Sequence, residues 1–134
     1  MQAAANALKT SDDATILWID TLNSFSAERL LSLLPPDTDA TTTLPRLRCI
    51  RAFNIWQLLS SLDDVLQEHQ DGFFENLRIV VIDSVASCII PILGATQVIG
   101  HALMSSVSRA LNAIANERRV PVLVRVVCVV IQRC

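Results

Sequence analysis

Glycine is scarce in this 134-residue chain, at three residues, and lysine is scarcer still, with Lys9 alone. A phosphate cradle of the G-x-x-x-x-G-K-[ST] kind needs both, because its backbone N–H groups and its lysine hold the phosphates together. The nearest glycine pair, Gly94 and Gly100, has one residue too many between its members, and His101 and Ala102 follow where Lys and Ser or Thr are required. Tight triphosphate binding by this chain alone is not expected. Three glycines and five prolines also exclude collagen-like and linker-like sequence. Long uncharged apolar runs are missing too. Leu77–Leu93 carries Arg78 and Asp83, and Val120–Ile131 is short and contains Arg125, so neither meets the roughly 18 residues of a membrane helix. The N-terminus lacks the basic and apolar regions of a signal peptide. The four cysteines, Cys49, Cys88, Cys128 and Cys134, show no C-x-x-C and no zinc-like spacing. Cys49 and Cys88 lie in apolar runs and are expected to be small buried hydrophobes in a reducing, intracellular compartment.

What is present is hydrophobic: 51% of residues, enough for the packed core of one domain. The net charge of −2 leaves no general footprint for nucleic acid. The charge is unevenly placed, with eleven acids against five bases in residues 1–75 and two against six in residues 76–134. Such a dipolar chain is suited to meeting partners through two faces, although ordinary surface variation produces the same pattern.

Strand and helix signals alternate along the chain. Thr15–Asp20 is a short apolar, β-branched run and reads as a buried strand. Ser26 is placed to cap a helix over Ala27–Leu34, stopped by Pro35-Pro36, and Pro36–Thr43 reads as a polar loop. Arg46–Phe53 alternates like a strand near a sheet edge. Asn54 is positioned to cap a helix over Ile55–His69, whose Ile55, Leu58, Leu59, Leu62, Val65 and Leu66 keep helical period. Gln70–Asn76 reads as a loop. Leu77–Asp83 is the clearest strand, its unbroken apolar centre suiting cover on both faces. A loop through Pro91 and Gly94 leads to a long helix over Gln97–Arg118, and Val120–Ile131 reads as a closing strand. The order β-α-β-α-β-α-β predicts an open α/β domain with a parallel sheet flanked by helices.

In such sheets the chemistry lies at the carboxyl ends of the strands. Asp20-Thr21-Leu22, Phe53-Asn54 and Asp83-Ser84 stand there. Hydrophobic residues ending in Asp and then Ser follow the pattern of a Walker B strand, which holds a carboxylate rigidly toward magnesium on nucleotide phosphates. By itself the pattern is weak, since any buried strand can end in Asp as a turn or capping residue. Asp20 and Asp83 form a paired carboxylate site if their strands are neighbours; the competing reading has one capping a helix and the other bonded to backbone N–H groups. His69 and His101 are isolated and read as surface histidines. Asp63, Asp64 and Glu68 read as a solvated helix face, and Trp18 and Trp56 as core. There is no G-x-S-x-G elbow.

Taken together, the motifs resemble a known family. Ile16–Leu30 (I-L-W-I-D-T-L-N-S-F-S-A-E-R-L) is similar to the strand, turn and helix that follow the Walker A helix in the eukaryotic RecA-like recombinases. Arg51-Ala52-Phe53-Asn54 is similar to that family's A-R-A-F-N, and Arg78–Ser84 to its Walker B strand. Val81–Ser106, with its V-I-D-S, P-I-L-G and G-H-A-L-M segments, most resembles the D-type paralogues among the recombination mediators. The likeness spans about residues 14–124, and Met1–Leu8 is similar in character to the tail of the Walker A helix.

The resemblance implies a partial RecA-like P-loop ATPase core over residues 1–124, with strand order 3-2-4-5, followed by a divergent tail over 125–134. The Walker A strand would lie beyond the fourth strand. It implies ATP and magnesium as the family's cofactors, with Asp83 and Ser84 at the nucleotide and magnesium site. Gly94, Gly100 and His101 would lie in a DNA-binding loop that has no Lys or Arg. Leu22 stands at the position of the family's water-activating glutamate, and a leucine neither accepts a proton nor orients water. The phosphate sensor that should follow Val124 is replaced by R-V-V-C-V-V-I-Q-R-C. By resemblance the chain is a nuclear, non-catalytic subunit in homologous-recombination DNA repair. It would act with sister recombinase paralogues, and with single-stranded DNA, in a family of DNA-dependent ATPases, with no role at a membrane. The alternatives are a protein-interaction subunit that only docks on sister paralogues, and an inactive truncated isoform whose last strand is an apolar sheet edge.

Overall fold

A computed structural model describes residues 1–67, 71–93 and 97–125. Four parallel strands, β1 (Thr15–Asp20), β2 (Leu47–Arg51), β3 (Leu77–Asp83) and β4 (Val122–Arg125), form one open sheet in the order β2-β1-β3-β4. This is the expected α/β architecture and the expected strand order. β1 and β3 occupy the residues that the sequence indicated, and all but one of their thirteen side chains are buried. β2 is an edge strand, as the alternation of its arginines required.

Two helical layers cover the sheet. Leu17, Ile19, Val80 and Ile82 point to one face, where α4 (Ile55–Gln67), α6 (Val85–Leu93) and α7 (Gln97–Glu117) pack over them through Leu58, Leu62, Val65, Cys88, Leu103, Val107 and Ile114. Ile16, Trp18, Ile79 and Val81 point to the other, against α1 (Gln2–Leu8), α2 (Ala27–Leu31) and Leu34. Alternation of side chains across a strand explains this partition. Ser26 caps α2 by accepting from the Arg29 N–H at 3.2 Å, and Asn54 caps α4 by accepting from Gln57 N–H at 2.9 Å.

Several local expectations are corrected. Pro36–Thr43 is not all loop: Asp39 accepts from the Thr41 N–H at 2.9 Å and starts a short helix, α3 (Ala40–Thr43). Gly72–Glu75 is likewise a helical turn, α5, capped by Asp71, whose other oxygen pairs with Arg48 at 3.0 Å. Both partners hold the Asp71 carboxyl below the usual range, the bond from Phe73 N–H first and Arg48 second. Pro91 lies inside α6 and not in a loop. It lacks the N–H that would bond the Ser87 carbonyl, and packing of Val85, Cys88, Ile89 and Ile92 against the core offsets that loss. α2 stops at Leu31, short of the expected Leu34. Cys49 is exposed on the edge strand, whereas Cys88 is buried as expected. Trp56 is 65% exposed rather than core; Trp18 is core, its ring tilted by 51° against that of Phe25 with centroids 5.2 Å apart. His69, Glu68, Gly94 and the residues of the closing strand beyond Arg125 lie outside the described residues. Among the described residues, no helix is long and apolar enough to cross a membrane.

Candidate functional site at the carboxyl ends of the strands

Register brings the strand ends together. Asp20 lies beside Arg51 on β2 and beside Asp83 on β3, and Asp83 lies beside Arg125 on β4. The ladder continues past the strands, with Thr21 N–H donating to the Asp83 carbonyl at 2.8 Å and Ala52 N–H to the Asp20 carbonyl at 3.1 Å.

The two acids meet different partners. Asp20 is buried, and its oxygens accept from Leu22 N–H at 3.0 Å and Phe25 N–H at 2.9 Å. It thereby folds the segment between β1 and α2 over itself, with Asn23 in the left-handed region at φ 54°, a conformation asparagine tolerates better than most residues. The backbone-bonded reading is the right one for Asp20. Asp83 does not cap a helix; both its oxygens accept from Arg125 Nη1, at 3.0 and 3.2 Å. The carboxylate side chain is 7% exposed and the arginine 60%.

Thr21, which the sequence marks as a strand-end residue without assigning it a role, is the knot of the site. Its hydroxyl accepts from Ser84 N–H at 2.7 Å and lies 2.7 Å from the Ser84 carbonyl and 2.6 Å from the Ser87 hydroxyl. The Ser84 hydroxyl is buried and, among the described residues, has no partner. A threonine straight after a strand-ending aspartate was the available signal. Thr21→Val keeps the shape but strands the buried Ser84 N–H, and is expected to cost about 1–3 kcal/mol of stability. Urea denaturation would measure it, and Thr21→Ser should recover most of the loss.

Around this knot the surface is apolar. Leu22, Phe53 and Trp56 are 45%, 63% and 65% exposed on the segments that leave β1 and β2. On the α1–α2 face, Asp83, Arg125, Arg29, Ser24, Trp18 and Leu123 help line an open cleft of about 730 Å³. On the other face Cys88 sits under the site, its thiol pushed up by burial and so kept protonated rather than nucleophilic. Gly100 and His101 are in the first turns of α7, the histidine exposed. The donor set does not fit a magnesium ion as it stands. Asp20 and Asp83 are both engaged within the chain, and among the described residues no three His, Cys, Asp or Glu side chains gather in one place.

An open, all-parallel sheet flanked by helices, with acids ending its two central strands, is consistent with a partial RecA-like core. No protein-family profile matches the chain. The chain is 35% identical over 116 residues to the DNA repair protein RAD51 homolog 4 of Bos taurus, covering 81% of this chain and 36% of that protein. To the protein of the same name in Mus musculus it is 30% identical, over 81% of this chain and 35% of that protein. The chain thus spans about a third of the length of the curated relatives it matches. Both relatives are named as RAD51-type DNA repair proteins, and this chain is similar to that third of their length.

Proposed function

We propose that the chain works in nuclear homologous-recombination repair as a docking subunit for sister recombinase paralogues, and that it does not itself hydrolyse ATP. The observation that carries this reading is the exposure of Leu22, Phe53 and Trp56 at the strand carboxyl ends. A hydrolytic site of this fold needs polar groups there, whereas large exposed aromatics and leucine are what a protein interface buries at its centre. Leu22 in particular takes the position where the resembling family has its glutamate. The names of the bovine and mouse relatives support the repair pathway. ATP, magnesium and single-stranded DNA then belong mainly to the sister chains of the complex. Gly100 and His101, expected in a DNA-facing loop, lie instead within the helix α7, and Gly94 is outside the described residues, so no DNA contact is assigned to them.

The test is co-purification of the full chain with sister paralogues, with and without nucleotide. Changing Leu22, Phe53 and Trp56 together to serine is expected to lower recovery at least about tenfold, the scale of lost hot-spot residues. As surface changes, they should leave the thermal melt within about 2 °C. Undiminished recovery with a normal melt overturns the docking surface. Saturable binding of a fluorescent ATP by the isolated chain overturns the assignment of nucleotide to its partners.

A further inference from the structure

Asp83 and Arg125 are paired across β3 and β4. Residues opposite each other in neighbouring strands project to the same face, so this ion pair is set by the register of the sheet rather than by chance contact of two mobile side chains. One guanidinium nitrogen serves both carboxylate oxygens. A carboxylate this deeply buried must have a cation or several donors beside it. Magnesium would ask for near-octahedral oxygen coordination, usually with waters and more than one oxygen-bearing partner. The neighbouring acid, Asp20, has both oxygens committed to backbone N–H groups. A divalent ion at Asp83 would also stand against the positive charge of Arg125.

We infer that Arg125 is the resident counter-ion of Asp83. Its guanidinium occupies the place where a strand-end acid of this fold would hold a divalent cation. The acid is thereby closed to metal and becomes an electrostatic clasp joining β4 to β3. Arg125 also lines the cleft on the α1–α2 face, so the clasp forms part of that cleft's wall. The inference stands on this pair alone and does not depend on the docking surface.

Thermal melts of the full chain test it in two ways. Magnesium at 10 mM, on the order of ordinary working concentrations for a weak carboxylate site, should leave the wild-type Tm unchanged within about 1 °C. Arg125→Gln should lower Tm by about 3–6 °C, while the same change in an Asp83→Asn background should do little. A magnesium-induced rise in the wild-type Tm that Asp83→Asn removes overturns the inference. So does an Arg125→Gln effect of equal size in both backgrounds. Should Arg125→Gln fail to fold, the comparison of wild type with Asp83→Asn in magnesium still decides the matter.

Discussion

Replacing Ile82 by alanine is expected to lower the free energy of unfolding by about 2–5 kcal/mol. Ile82 has no exposed surface, lies beside Ile19 in β1 and Val124 in β4, and belongs to the core under α4, α6 and α7. Removing its branched side chain subtracts the transfer free energy and leaves a cavity that two rigid neighbouring strands cannot collapse to fill. Domains of this size are held by about 5–15 kcal/mol in all, so the loss is a large share. Urea denaturation would read it as a fall in midpoint at unchanged slope. The exposed Val98, at 81%, is the control, and its alanine variant should change stability by less than about 0.5 kcal/mol. Equal effects at the two positions would contradict the described core.

Asp20→Ala is the second large effect, at about 2–4 kcal/mol. The substitution removes two charge-assisted acceptors at once, each of a kind worth about 1.5–3 kcal/mol, with some recovery from water reaching the freed N–H groups. Asp20→Asn keeps one carbonyl oxygen and should cost about half as much. Amide hydrogen exchange adds a local readout: Leu22 and Phe25, which donate to the carboxylate at 3.0 and 2.9 Å, should lose protection. If Asp20→Ala leaves both stability and exchange unchanged, the carboxylate does not organise this turn.

The parts that could be read from the sequence are those whose burial is uniform. β1 and β3 have near-continuous apolar residues because both sheet faces are covered, and their limits followed from that run alone. α4 and α7 carry one apolar stripe each and were equally plain. α6 has no such contrast. It is apolar nearly throughout and contains Pro91, so neither period nor composition marked it as helical. α3 and α5 are single turns made by an aspartate cap, a signal of one residue. Trp56 could have been placed correctly, since it follows Ile55 and falls with Ser60, Asp63 and Gln67 on the polar side of α4, away from the stripe of Leu58, Leu62 and Val65. In the site, Asp20 and Asp83 were visible as strand-ending acids. The engagement of Asp83 by Arg125 was not visible, because it depends on which residues of two distant segments fall opposite each other, and local pattern is silent about register.

The strand order β2-β1-β3-β4 sets β1 between an early partner and a late one. On the ribosome, β1 emerges before the other three described strands and can pair with β2 soon after, but its other edge waits for Leu77–Asp83. The nascent chain therefore carries Ile16, Trp18 and Ile19 on a half-finished sheet while the second half is made. Long-range parallel pairing of this kind is slow and leaves apolar edges open to wrong partners during synthesis. Yield in a cell should thus depend on chaperone supply and on translation speed through residues 52–76, even though the finished sheet buries both central strands.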